Sequence, residues 1–138
     1  MPYNTGQRIM NKILIIDDDA VFLRRLRGYV QERYPELAVE TCNDPVACLA
    51  SITVDLDLLL VDLEMPGLDG AKILSYATSL GVDKNRIVIL SGRDADYLHK
   101  CFPPGSCLGV LNKYEARQQE VMDMIFSSLQ KKRSRASQ

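Results

Sequence analysis

The chain has 138 residues, 46% hydrophobic and 25% charged, with 17 basic against 18 acidic residues and a net charge of −1. One domain of that size buries about two thirds of its unfolded surface and needs no metal or disulfide staple. The balanced charge rules out gripping nucleic acid or membrane through bulk charge, and a single histidine, His99, excludes a multi-histidine metal centre.

Residues 1–9 are polar and without periodicity, and with Met10 and Asn11 they read as an N-terminal arm. Ile13-Leu14-Ile15-Ile16 is a fully apolar run ended by Asp17-Asp18-Asp19, the pattern of a buried parallel strand. Phe22, Leu26, Tyr29 and Val30 then repeat at helical spacing until Tyr34-Pro35, where proline stops the helix. A strand-like stretch, residues 37–42, leads to Asp44-Pro45, a helix start with Asp as N-cap and Pro in the first turn. Leu58-Leu59-Leu60-Val61 reads as a central strand, and Asp69-Gly70 opens a helix carrying Ile73, Leu74 and Ala77 that closes near Gly81. Ile87-Val88-Ile89-Leu90 is a fourth strand, residues 95–101 a weak helix, and Leu108-Gly109-Val110-Leu111 a fifth strand.

The last helix is expected over residues 115–130, with Val121, Met124, Ile125 and Leu129 facing the core. Met122 and Phe126 fall one position past that stripe and are expected to be partly exposed. Residues 131–138 lose nearly all apolar character and are expected to fray. The longest apolar stretch, residues 56–63, is interrupted by Asp57 and Asp62 and is far short of a membrane span. No charged-then-apolar leader opens the chain, so a cytoplasmic protein is expected. Cys42, Cys48, Cys101 and Cys107 lack CxxC spacing and read as thiols in a reducing compartment.

Five strands alternating with five helices define an α/β fold with a doubly wound parallel sheet, spanning residues 12–130 between arm 1–11 and tail 131–138. Ligands of such sheets bind outside the carboxyl ends of the strands, at the switch in strand order. There the strands end in Asp17-Asp18-Asp19, Asp62, Ser91 and Asn112-Lys113. Each has an ordinary explanation alone: a strand-end Asp is commonly a helix N-cap, the role expected of Asp19, and a lone Lys is commonly a solvated charge. Together they form a set. Crowded carboxylates repel one another and need a cation. Oxygen ligands with places left for water suit Mg²⁺, at about 2.0–2.1 Å. A serine hydroxyl and a lysine could meet a phosphoryl group, and a carboxylate can itself be the nucleophile, giving an aspartyl phosphate.

The runs Ile-Ile-Asp17-Asp18, Leu-Val-Asp62-Leu-Glu64-Met65-Pro66-Gly67-Leu-Asp-Gly70, Ile-Leu-Ser91-Gly92 and Leu-Asn-Lys113 resemble, in order and spacing, the receiver domain of two-component response regulators. The resemblance extends from about Lys12 to Leu129. It implies a flavodoxin-like (βα)₅ fold with strand order 2-1-3-4-5. It also implies Asp62 as phosphoacceptor, with Ser91 and Lys113 on the phosphoryl oxygens, and Mg²⁺ held by Asp17, Asp18, Asp62 and the backbone carbonyl of Glu64. Pro66 and Gly70 would shape the loop after strand three. The partners implied are a sensor histidine kinase or phosphotransfer protein and an output domain or protein, with self-association through the helix 4/strand 5/helix 5 face. The chain would not itself be an enzyme and would not bind nucleic acid or membrane.

Two positions depart from the family. Val110 stands where an aromatic residue is usual, three before the lysine, and Tyr114 replaces the common proline after it, leaving the Lys113–Tyr114 bond open to either isomer. Glu64 and Arg93, two residues past Asp62 and Ser91, are expected to pair across the mouth of the pocket. Two other readings stay open at this stage. Asp17-x-Asp19 also resembles the first motif of haloacid-dehalogenase-type phosphatases, in which Asp17 would carry the phosphoryl group, and a receiver-like scaffold would carry none. Arg24, Arg25, Arg27 and the KKRSR tail lie largely off the apolar stripes and read as solvated charge or a linker to an output domain.

Overall fold

The computed structural model describes residues 11–136. The elements run β1 Asn11–Ile16, α1 Ala20–Arg33, β2 Leu37–Cys42, α2 Pro45–Ser51, β3 Leu58–Asp62, α3 Gly70–Leu80, β4 Ile87–Ser91, α4 Ala95–Cys101, β5 Gly109–Asn112 and α5 Ala116–Ala136. All neighbouring strands pair in parallel, in the order β2-β1-β3-β4-β5. This is the flavodoxin-like α/β fold that the sequence leads one to expect. The arm before Asn11 lies outside the described residues.

Strand periodicity explains why the sheet is covered on both sides. Successive residues point to opposite faces. Leu14, Ile16, Leu59, Val61, Ile87 and Ile89 share one core with Cys48 and Ile52 around α2, Ile73 and Ala77 of α3, and Leu98 of α4. Ile13, Ile15, Leu58, Leu60, Val88 and Leu90 share the other with Leu23, Leu26 and Val30 of α1 and Met122 and Phe126 of α5. Every residue of β3 and β4 is buried, so these are the rigid centre from which site residues project.

Aspartates punctuate the helix starts. Asp19, Asp44, Asp69 and Asp94 accept first-turn amide hydrogens, satisfying donors that the helix leaves unpaired. Asp83 does the same for a short 3₁₀ turn, Lys84–Arg86, which the hydrophobic pattern does not reveal. On the α1/α5 side, the hydroxyls of Tyr29 and Tyr34 donate to the Asp123 carboxylate, at 2.6 and 3.0 Å. Arg33 donates in turn to Tyr29 Oη at 2.8 Å. Burial, then the Asp123 charge, raises both tyrosine pKa values. The cluster fixes how α5 lies against α1.

Four expectations are corrected. Met122 and Phe126 are core residues, 3% and 0% exposed, whereas Met124 is 70% exposed. Val121, Ile125 and Leu129 only flank that core, so the stripe is rotated by one position from the expected one. In α1, Leu26 and Val30 are buried as expected, but Leu23 joins them and Phe22 and Tyr29 only flank that core. Helix α5 continues to Ala136, six residues beyond Gln130, instead of fraying at Lys131. Cys42 and Cys48 are joined as a disulfide, their Cα atoms 5.7 Å apart, because α2 folds Cys48 back beneath the end of β2. Cys101 and Cys107 remain free thiols, exposed and buried respectively, and burial pushes the Cys107 thiol up. Among the described residues there is no cis peptide bond, so Lys113–Tyr114 is trans. No described helix is long and apolar enough to cross a membrane.

The rotated stripe carries a prediction. Phe126→Ala should destabilise the fold by about 3–5 kcal/mol, as for other large aromatic deletions in cores. Met124→Ala should stay within about 0.5 kcal/mol of the parent. Urea unfolding of the two variants distinguishes them, and the reverse ranking would mean that α5 seats the other face.

Candidate functional site

Strand order reverses between β1 and β3, and the carboxyl ends of those strands carry the acidic residues. Asp17 follows β1 directly, its amide tied to Cys42 O at 3.1 Å. Asp62 is the last residue of β3, beside Leu90 of β4. Ser91 ends β4 opposite Asn112 of β5, and the Lys113 amide donates to Ser91 O at 2.9 Å, extending that ladder by one bond. The structure thus brings Asp17, Asp18, Asp62, Ser91 and Lys113 to one rim.

The loop after β3 is held close by glycine. A Cβ on Gly70 would meet Asp62 O at 2.8 Å and Leu63 Cα at 2.9 Å, both backbone atoms that cannot swing aside. Gly70 N donates to Leu63 O at 3.0 Å in that tight approach. Gly67 takes φ +84°, a left-handed conformation that glycine adopts without penalty. Together they turn the chain back over Asp62 before α3 begins.

Asp17 and Asp62 are 0% and 3% exposed, while Asp18 is open to solvent. The Lys113 ammonium lies 2.7 Å from Asp17 Oδ2 and 3.9 Å from Asp62 Oδ2. The closer contact is a buried ion pair at hydrogen-bond distance, so Asp17 Oδ2 is held by Lys113. The other Asp17 oxygen accepts from Asp19 N at 2.9 Å, and Asp62 Oδ1 accepts from Glu64 N at 3.2 Å. Phe22 carries the other side of Lys113, its ring centroid 4.5 Å from the ammonium. Burial by itself would lower the lysine pKa, but the Asp17 and Asp62 carboxylates outweigh it and the value rises.

Burial, and then the charge of Asp17, push the Asp62 carboxyl up to about 8, with Lys113 only partly opposing them. One ammonium does not neutralise this group. Asp17, Asp18 and Asp62 each offer an oxygen, all within 4.8 Å of one another. Three hard carboxylate ligands at one rim and a carboxyl destabilised by its neighbour fit a divalent cation such as Mg²⁺.

Sequence reasoning placed the Glu64 side chain at the mouth of the pocket but missed its partners. Its carboxylate takes a hydrogen bond from Ser91 Oγ at 2.6 Å and another from Gly92 N at 3.2 Å. Arg93 does not pair with it as expected: its guanidinium stacks over Tyr97, 3.8 Å from the ring centroid. The signal available in sequence was the acidic residue two past Asp62, but its reach to β4 depends on how the β3–α3 loop turns.

An acidic trio, a hydroxyl and a lysine at the switch point of this fold define the receiver class. The family model for the response regulator receiver domain matches residues 13–126, and the chain belongs to that family. It is 33% identical over 104 residues to the transcriptional regulatory protein ResD of Bacillus subtilis, covering 67% of this chain and 43% of that protein. It is 30% identical over 122 residues to the transcriptional regulatory protein RstA of Escherichia coli, covering 80% and 50%. The chain therefore spans half or less of the length of these relatives. A response regulator receiver domain from Clostridium thermocellum superposes with a TM-score of 0.70 at 20% identity, covering 89% of this chain and 97% of that one, which shows the shared fold.

The raised Asp62 pKa makes stability pH-dependent in the metal-free protein. The folded chain holds this proton more tightly than the unfolded chain, where the ordinary value is 3.8. The contribution is therefore complete below about pH 4 and is lost as pH rises through about 8. Melts in chelator should show wild type losing Tm between about pH 4 and 8 relative to Asp62→Asn, with little further loss above that. Parallel curves would mean that Asp62 is already ionised across that range.

Proposed function

We propose that this receiver takes a phosphoryl group from a sensor histidine kinase or phosphotransfer protein onto Asp62. It thereby switches its α4/β5/α5 face toward an output partner. The observation that carries the reading is the placement of Asp62 at the end of the fully buried β3, between the Lys113 ammonium and the Asp17/Asp18 pair. In the transfer, an ionised Asp62 oxygen attacks phosphorus while the donor's P–N bond breaks. The bond pair leaves on the imidazole nitrogen, which takes a proton, and an acyl phosphate remains.

The chain's own residues have distinct tasks in that step. Lys113 already spans Asp17 and Asp62 and can move its charge onto an incoming phosphoryl oxygen. The Ser91 hydroxyl is buried beside the acceptor and can donate to another. Asp17, Asp18 and Asp62, with the Glu64 carbonyl, would hold Mg²⁺. When bound, that ion neutralises charge on the phosphoryl oxygens and on the carboxylates themselves. The chain is in this reading the recipient of the group and not an enzyme acting on a separate substrate, and it works in the cytoplasm.

The proposed output face is supported by position, although not by the residues first expected there. Met122 and Phe126 point into the core and cannot form a contact surface. Val110 of β5 is half-buried, and Tyr97 and Met124 are exposed, which leaves apolar groups on α4, β5 and α5 for a partner or a second copy.

Incubation with acetyl phosphate and Mg²⁺ tests the acceptor. Wild type should label stoichiometrically, Asp62→Asn should not, and Lys113→Ala should label much more slowly. Label mapped to Asp17 would instead support the phosphatase-type chemistry, and no label on wild type would support the scaffold.

A further inference from the structure

We propose that the Glu64 carboxylate is a built-in competitor for the phosphoryl-binding donors, so that it must leave Ser91 and Gly92 before the site can accept its phosphoryl group. This rests on Asp62 being the acceptor. A serine hydroxyl has one hydrogen to donate, and that of Ser91 goes to Glu64 Oε2 at 2.6 Å. Ser91 is 0% exposed, so no solvent exchange frees the hydroxyl. One of its lone pairs is also engaged, since Arg93 N donates to Ser91 Oγ at 3.0 Å. A phosphoryl oxygen and Glu64 therefore exclude one another at this atom.

The grip is bidentate. Glu64 Oε1 takes the Gly92 amide at 3.2 Å while Oε2 takes the hydroxyl, so one anion uses both donors at the end of β4. The backbone aims it: Glu64 N donates to Asp62 Oδ1 at 3.2 Å, which fixes where the side chain leaves the β3–α3 loop. Among the described residues no ion pair holds Glu64, and Arg93 lies over Tyr97 instead. Glu64 is itself exposed, so it can swing into water when displaced, whereas Ser91 is buried at the end of β4. The resting site therefore holds its own carboxylate where a phosphoryl anion would bind, and transfer includes the cost of exchanging the two.

The test separates contact from charge. Glu64→Ala removes both, while Glu64→Asp keeps the charge but is one methylene too short to reach β4. Initial rates of labelling by acetyl phosphate with Mg²⁺ are compared at fixed ionic strength. Both variants should label roughly three- to tenfold faster than wild type, the range expected for releasing a partly solvated charged hydrogen bond. The Gly92 amide proton resonance of the unlabelled protein should move in both variants, reporting loss of the contact. Acceleration by Ala alone would assign the effect to charge and overturn the proposal, as would wild-type rates in both. If Asp62→Asn labels as well as wild type, the acceptor assignment fails instead. If wild type labels only through Asp62 while the variants show no acceleration, the acceptor stands and the competitor falls.

Discussion

Two carboxylates buried within reach of a single ammonium are the constraint on which this structure turns. Asp17 and Asp62 are almost fully removed from water, and Lys113 is much closer to one than to the other. Such charges tend to drift apart or to protonate; Asp62 is pushed toward protonation, and the framework prevents the drift. The framework here is the pair β1 and β3, whose inner residues are wholly buried and whose parallel register sets Ile16 beside Val61. Rigid apolar strands hold the acids together, and under the proposed function the resulting imbalance suits the rim to a cation and a phosphoryl group. A more polar or looser sheet would relieve the repulsion and lose the site.

The same economy of residue type separates the many aspartates by role. Asp19, Asp44, Asp69 and Asp94 are exposed or half-exposed and spend their oxygens on helix amides. Asp17 uses one oxygen to hold Asp19 N and leaves the other facing Lys113. Asp17 thus orients the cap that starts α1 while serving the site, which couples helix placement to site geometry. The Gly70 approach does the corresponding work on the other side, since a side chain there would push α3 off the Asp62 backbone.

How far the sequence speaks for itself depends on the range of the interaction. β1, β3 and β4 are legible because burial on both faces makes each an apolar run, β2 and β5 are read from their alternation with helices, and topology places the strand ends together. Helix faces are harder. In α5, residues 121, 125 and 129 and residues 122 and 126 are both apolar at helical spacing, and only the seat against Val30 and the sheet decides that Phe126 goes in. The continuation to Ala136 is hidden because Lys131, Lys132 and Arg133 are good helix formers with no apolar stripe. The Cys42–Cys48 disulfide depends on α2 doubling back over β2, which spacing alone does not specify. Glu64 is legible as an acidic neighbour of Asp62, but not as a ligand of a strand 27 residues away.

Val110 removes the bulky ring by which receivers usually register the state of the strand-four hydroxyl, yet the contacts around Ser91 offer another route. Arg93 N donates to Ser91 Oγ, Arg93 O accepts from Asn112 Nδ2 at 3.2 Å, and the Arg93 side chain lies over Tyr97 of α4. Three contacts from one residue therefore join the hydroxyl, the end of β5 and the first turn of α4. Under the proposed function, a Ser91 hydroxyl that turns from Glu64 toward a phosphoryl oxygen changes the acceptor seen by Arg93 N. The displacement then reaches α4 through backbone and a stacked guanidinium, without a ring having to cross the core. A small residue at 110 suits this arrangement, because the signal runs along the exposed rim and the interior beside β5 can stay packed.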